Sequence, residues 1–223
     1  MTGANGGIGR ALLARLIAKG DTVAALDRDP EVARLASANV QPIVVDLRDV
    51  DAASAAIASA ISDLGPIDIL VNNAGVMHKK SLADHTVEDW DLEMDVNARA
   101  AFVLCRAVLP SMATRASGIV VNVASVWASR GGPDRAAYIA AKHALLGLTR
   151  ALAAEYAPYG VRVNAVSPGP VRTPMTSGLD GDQSEWLEPG EIAEAIEYLC
   201  SDGASGVIGA NLEVLGRGRP AGL

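Results

Sequence analysis

The feature that most restricts the fold is a regular alternation along the chain. Short β-branched runs occur at TVAALD (22–27), PIVVD (42–46), IDILVN (67–72), GIVVNVAS (118–125), VRVNAVS (161–167) and VIGANLEVL (207–215). Longer alanine-rich stretches with helical spacing separate them, near 8–19, 50–64, 86–113, 136–157 and 189–200. Several runs are almost continuously apolar, as strands covered on both faces are. Strand–helix–strand repetition sets the strands parallel with helices on both sides, a doubly wound α/β fold. No internal repeat, low-complexity tract or linker interrupts the chain, so residues 1–223 are expected to form a single domain. The one irregular stretch, 168–190, is rich in Pro, Gly, Ser and acidic residues and follows a strand. That position makes it a candidate substrate lid.

Composition narrows the function. Aromatic residues are only 4% of the chain, with one Phe at 102, so alanine and aliphatic side chains must fill the core. The net charge of −7, with no basic patch, argues against a nucleic-acid partner. No apolar run reaches membrane-spanning length. The opening residues show no charged segment followed by an apolar one, and a cytoplasmic protein is expected. Cys105 and Cys200 lie in apolar helical patterns and are expected to be free thiols, forming neither a metal site nor a disulfide framework.

The chain opens MTGANGGIGRALLARLIAKG. Gly3, Gly7 and Gly9 form a G-x-x-x-G-x-G pattern that runs directly into a helix. Small residues let the backbone approach a pyrophosphate, and the helix N-terminus offers free N–H groups and a positive dipole end. Asp27 ends the next strand, 18 residues after Gly9, where a carboxylate can accept hydrogen bonds from ribose hydroxyls. A dinucleotide-binding unit also needs a strand before its glycine loop, and only Met1 and Thr2 precede this one. The natural product is therefore expected to start upstream of Met1. In a chain this short, the neighbouring strands are expected to close the gap or the glycine loop to be displaced, with weakened cofactor affinity.

A second constellation carries the chemistry. NNAG (72–75) follows a strand, Asn97 sits in DVNARAAF, Ser125 ends a strand, and Tyr138 and Lys142 lie in AAYIAAKHALLGLTRALAAEY. Tyr138 and Lys142 are four apart on a helix and share one face. Ser125 lies at the C-terminal edge of the sheet, where open α/β folds place their sites. Tyrosine is a poor base at its usual pKa near 10. A nearby ammonium favours the phenolate, and Lys142 together with a cationic nicotinamide is expected to bring the pKa down. Tyr138 would then accept a proton from a secondary alcohol as hydride leaves, with Ser125 holding the substrate oxygen.

These motifs, in this order, resemble the short-chain dehydrogenase/reductase family over essentially the whole chain. The resemblance implies a Rossmann-like NAD(P)-dependent oxidoreductase, with Asn97, Ser125, Tyr138 and Lys142 as its catalytic tetrad. It implies cofactor contacts from Gly3, Asn5, Gly7, Ile8 and Gly9 in the glycine loop, from Asp27 and Arg28 at the ribose, and from Asp46 and Leu47 at the adenine. Asn73, Ala74 and Gly75 of the NNAG motif join them, as do Pro168, Gly169, Val171 and Thr173 in SPGPVRTPM, near the nicotinamide carboxamide. Lys142 would hold the nicotinamide ribose and Asn97 a water in a proton relay. A homodimer or homotetramer through the helices at 98–113 and 136–157 is also implied. The segment from Met175 to Pro189 is shorter than the usual lid, and Leu215 and Arg217 replace an acid and a glycine frequent in the family.

Asp27 points to NAD over NADP, because a carboxylate repels a 2′-phosphate. Gly6 stands where NADP-preferring relatives often carry a basic residue, while Arg28 is the counterweight, since a guanidinium pairs with phosphate. Ser125, Trp127, Tyr138 and Met175 are the expected substrate contacts, with a small alcohol or ketone as partner and no metal. His78 and His85 read as exposed loop residues. The alternative function is a non-catalytic or impaired dinucleotide-fold protein lacking its first strand.

Overall fold

The computed structural model describes residues 1–178 and 183–216. Strand β1 (Val23–Asp27) pairs with β2 (Val40–Val44), and β3 (Ile69–Asn72), β4 (Gly118–Val123), β5 (Val161–Pro168) and β6 (Asn211–Val214) follow one another in a second sheet. All of these pairings are parallel. Helices α1 (Gly7–Ala18) and α6 (Pro189–Cys200) cover one face. Helices α2 (Val50–Leu64) and α4 (Ala100–Thr114), with part of α5 (Ala136–Tyr156), cover the other. The period of two in the strands accomplishes this. Leu70, Val120 and Val163 pack toward α2 and α4, while Val71, Val121 and Val166 pack toward α1 and α6. The doubly wound arrangement expected from the alternation is thus present.

Local chemistry sets the element boundaries. Helix α2 begins where the Asp49 carboxylate accepts from Asp51 N and Ala52 N, and stops at Gly65 with φ +91°. Strand β2 runs 40–44 rather than 42–46. Pro42 is tolerated in it because β2 is an edge strand. Strand β6 is shorter than the run 207–215, because the Asn164 side chain takes over two backbone partners, donating to Val207 O and accepting from Ala210 N.

The expected helix 86–113 is divided into α3 (Val87–Met94), a π-helical turn at Asp95–Arg99, and α4. The cause is Asn97, whose Nδ2 donates to Glu93 O at 2.9 Å. That carbonyl would otherwise take an i→i−4 backbone bond, and the ladder slips by one residue.

The place of a strand between β1 and β3 is held by the first four residues. The Met1 α-amino group donates to Ala24 O, Leu26 N donates to Met1 O, Thr2 N donates to Val71 O and Ala4 N donates to Leu26 O, at 2.8–3.2 Å. The neighbouring strands have not closed on each other and the glycine loop is not displaced, contrary to the expectation for a chain of this length. Thr2 explains the second point: its Oγ1 accepts from Asn73 N and Ala74 N, both at 3.0 Å, and fixes the loop to the end of β3.

Burial pushes the Met1 ammonium down from its ordinary 8.0 to about 5. Between those values the unfolded chain binds more protons than the folded one, so stability rises with pH through that window. A chain with a free α-amino group at Met1 is expected to show a falling urea midpoint from about pH 8 to about pH 5. A variant extended upstream of Met1 by a few residues should lose that part of the dependence. Identical slopes for the two chains would show that the buried amine is not responsible.

Candidate active site

A cavity of about 660 Å³ opens at the C-terminal edge of the sheet. The glycine loop forms one wall, through Gly3, Asn5, Gly6, Gly7 and Ile8. Gly3 has φ +64°, and a Cβ there would lie 2.9 Å from Ala74 Cα. Gly9 does not line the cavity; it lies against the loop from behind, where a Cβ would come within 2.0 Å of Gly3 O. The N-cap residue Gly6 supplies no side-chain bond to the first amides of α1, so they remain available to an anion. Asn73 lines the cavity and also braces the loop, donating from Nδ2 to Thr2 O and Gly3 O.

Asp27, Arg28 and Asp29 line the adjoining wall. Asp27 Oδ2 accepts from Asn5 N at 2.8 Å and its Oδ1 from Asp29 N at 3.0 Å. Asp29, missed in the sequence, adds a second carboxylate. It accepts from Glu31 N and from Asn5 Nδ2, bonds that hold its pKa below the usual range. Asp46 and Leu47 line the next stretch, and Asp46 is bound by the Arg48 guanidinium, which lowers its pKa.

Thr173 and Met175 complete the lining from the post-β5 segment. Thr173 touches the glycine loop, since a Cβ on Gly7 would meet its Cγ2 at 2.8 Å. Met175 lies over Gly75 at the cavity, its Cε 3.8 Å from the position of a Cβ there. A short 3₁₀ turn, Pro174–Thr176, folds it back toward the cavity. Pro168, Gly169 and Val171 do not line the cavity. Pro168 ends β5, Gly169 N donates to Val214 O, and Val171 is buried in a bridge with Leu187. Residues 179–182 and Arg217 lie outside the described residues, and with them Asp180 and Asp182 of the acidic stretch of the lid.

Two of the four residues expected to be catalytic, Asn97 and Lys142, sit behind Gly75. A Cβ on that glycine would lie 2.9 Å from Asn97 Oδ1 and 3.6 Å from Lys142 Nζ, so both share one backbone segment with the cavity wall. Asn97 is buried in the π-helical turn and clasps Val76, accepting from its N at 3.2 Å and donating to its O at 2.9 Å. Tyr138 occupies the first turn of α5 and is 7% exposed, with Ser125 at 6%. Lys142 Nζ is 5.6 Å from the Tyr138 ring centre and donates to Val123 O at 2.9 Å. Burial pushes Lys142 down to about 8.

Burial pushes the Tyr138 phenol up, to about 12. The Ser125 hydroxyl bonded to it pulls the other way, the Glu93 charge raises it further, and the Arg135 guanidinium lowers it. The lowering partners are therefore Ser125 and Arg135, where the sequence pointed to Lys142.

Glu93 was not legible in the acid-rich segment VEDWDLEM. It is fully buried, accepts from His78 N, and leaves Oε2 without a partner. Burial raises its pKa. His78 and His85 are half-buried rather than exposed. His78 Nδ1 lies 3.4 Å from Glu93 and 3.6 Å from Asp89, and His85 Nδ1 contacts Lys80 O. Cys105 is a buried free thiol and Cys200 a half-buried one. No helix among the described residues is long and apolar enough to cross a membrane.

The family model for short chain dehydrogenases matches residues 1–184. The chain is 38% identical, over a 235-residue alignment, to 2-(R)-hydroxypropyl-CoM dehydrogenase of Xanthobacter autotrophicus, covering 95% of this chain and 94% of that one. It is 37% identical over 183 residues to trans-4-hydroxycyclohexanecarboxylate dehydrogenase of Sinomonas cyclohexanicum, covering 80% and 70%. The solved structure of 3-ketoacyl-(acyl-carrier-protein) reductase from Brucella melitensis complexed with NADH matches with a TM-score of 0.90 at 32% identity, covering 96% of this chain and 94% of that one.

Proposed function

The chain belongs to the short chain dehydrogenase family, an oxidoreductase acting on CH–OH groups with NAD or NADP, and from that premise we propose that it interconverts a secondary alcohol and a ketone with Tyr138 as proton-transfer group and NAD as preferred cofactor. One observation carries this reading: Tyr138 and Ser125 are both buried, with Lys142 Nζ 5.6 Å from the Tyr138 ring centre and reaching the Gly75 wall of a glycine-lined cavity. The assembled glycine loop favours it over an impaired dinucleotide fold.

The lining fits a dinucleotide. Free amides at the α1 N-terminus suit a pyrophosphate, Asp27 suits ribose hydroxyls, and Asp46 with Leu47 flanks an adenine. Toward nicotinamide, the resemblance adds Asn73, Ala74, Gly75, Thr173 and Lys142, with Pro168, Gly169 and Val171 supporting from outside the cavity. A bound nicotinamide supplies hydride transfer to or from the carbinol carbon. Ser125 holds the substrate oxygen, and Tyr138 takes the hydroxyl proton in oxidation or returns it in reduction. Lys142 orients Tyr138 and Asn97 secures the turn behind Gly75.

The 168–190 segment is the proposed lid, and Trp127 a substrate contact. A homodimer or homotetramer through α4 and α5 fits the half-exposed Phe102 on α4. A cytoplasmic location suits the two free thiols. The relative acting on trans-4-hydroxycyclohexanecarboxylate supports a hydroxylated small molecule as substrate.

Calorimetry with NADH, followed by a screen of secondary alcohols with NAD and NADP, tests the reading. Absence of NADH binding would remove it. Two carboxylates, Asp27 and Asp29, face the adenosine end beside one guanidinium, Arg28. Asp27→Ala is therefore expected to shift the NAD-to-NADP ratio of kcat/KM by about 10–100-fold toward NADP, as Arg28 becomes available to the phosphate. A parent enzyme that already prefers NADP would overturn the argument from Asp27.

A further inference from the structure

Arg135 stands three residues before Tyr138, at the N-cap position of α5. Its guanidinium lies over the Trp127 ring, 5.5 Å from the centre. Trp127 follows Ser125 by two residues, and its N–H donates to the Ser125 hydroxyl. Gly132 packs against the same ring so closely that a Cβ there would lie 2.5 Å from it, which fixes the ring as a platform. Arg135 is thus positioned against a residue directly tied to the reaction centre, and its charge acts on the Tyr138 hydroxyl.

What Arg135 lacks among the described residues is a carboxylate partner. Its Nη1 donates to Pro133 O at 3.2 Å. Its Nε is buried with no partner. Among the described residues it forms no ion pair, whereas Arg15, Arg34, Arg48, Arg99, Arg115, Arg130 and Arg172 do. Arg130 on the neighbouring loop is bound by Glu213 at 2.6 Å. A buried guanidinium N–H is costly when unpaired. The planar fork of a guanidinium matches a carboxylate in two parallel bonds.

We infer that Arg135 anchors a carboxylate group on the substrate, so that the enzyme acts on hydroxy acids and the matching keto acids rather than on neutral alcohols. The stacked Trp127 ring supports the apolar stem between the carboxylate and the reacting carbon. With Arg130 engaged by Glu213, one guanidinium remains for the ligand, which suits a monoanion. This inference rests on Tyr138 and Ser125 being the reaction centre.

The test uses matched probes on the NADH complex of the enzyme. 4-Hydroxypentanoate is compared with 4-hydroxypentanamide, and 4-hydroxycyclohexanecarboxylate with its carboxamide. Binding is read by calorimetry on that NADH complex, and turnover is read separately with NAD as hydride acceptor, as the kcat/KM ratio within each pair. The carboxylates are expected to bind about 10–100-fold more tightly than the amides in the parent. Arg135→Gln should bring that ratio close to one, and Arg135→Lys should leave an intermediate value, because charge remains without the fork. The ratio is insensitive to a general loss of catalysis or folding, which lowers both members of a pair. Equal binding of acid and amide in the parent would overturn the inference. So would a ratio that survives Arg135→Gln, or no saturation by either carboxylate up to about 100 mM. Failure of the reaction-centre assignment is read separately, as undiminished turnover in Tyr138→Phe, while the binding ratio still decides Arg135.

Discussion

Tyr138→Phe is expected to lower turnover by about 10²–10⁴-fold, the range attributed to a positioned acid–base group, while NADH still binds. The substitution keeps the ring packed in the first turn of α5 and removes only the hydroxyl bonded to Ser125. The cost to stability should therefore stay near 1 kcal/mol, the worth of one hydrogen bond. The pH profile supplies a second signature. Burial holds the Tyr138 phenol at about 12, so near neutrality it carries its proton. Ketone reduction needs that proton and alcohol oxidation needs it gone. Oxidation should accordingly rise from about pH 7 to about pH 10, while reduction, whose acid keeps its proton throughout, should stay level over the same interval. The rise in oxidation should vanish from the residual activity of Tyr138→Phe. Substantial turnover by the purified variant, or a flat oxidation profile in the parent, would refute the assignment.

The elevated phenol pKa is where sequence and structure part most. Spacing placed Lys142 beside Tyr138 and supplied an ammonium to favour the phenolate, but spacing carries no information about desolvation. The structure buries both groups, raising one and lowering the other. It also brings in two residues with no signature in one dimension. Glu93 lies in a segment crowded with acids, where a solvated face is the ordinary reading. Only the π-helical turn, created when the Asn97 side chain claims Glu93 O, turns the helix so that this carboxyl is buried. Arg135 reads as one more charge in a loop until its stacking on Trp127 is visible.

The elements themselves were legible because their signals are local. Helices α2 and α6 lie where spacing and caps put them. The hydrophobic runs identified the strands, and the runs shortened where a side chain such as Asn164 substituted for the backbone ladder. Cavity lining was legible for the glycine loop, whose contacts are made by backbone. It was less so after β5, where Val171 turned into the core. Which way such a segment folds depends on its partner Leu187, a contact that no local pattern encodes.

Gly9→Ala should be the most damaging single-methyl change in the cofactor cradle. A Cβ at this position would lie 2.0 Å from Gly3 O and 2.9 Å from the Ala4 backbone, far inside van der Waals contact. The atoms it meets are backbone, so no rotamer change relieves the clash. The Gly3–Ala4 segment would have to move, and Gly3 O is the acceptor for Asn73 Nδ2 at 3.0 Å and for Gly6 N at 3.2 Å. Those bonds join the glycine loop to the end of β3, and Ala4 N joins it to β1. Overpacking of this kind costs about 1–3 kcal/mol or more. For a chain of this length that corresponds to a fall in Tm of roughly 2–12 °C. NADH affinity should fall by more than about 100-fold, because the first amides of α1 are aimed by the same backbone. Gly206→Ala is the matched control: its Cβ would meet nothing within 4 Å, so its effect should stay within about 0.5 kcal/mol. Thermal unfolding and calorimetry on both variants decide the matter. Should Gly9→Ala bind NADH like the parent, the glycine loop does not hold the dinucleotide in the way its geometry requires.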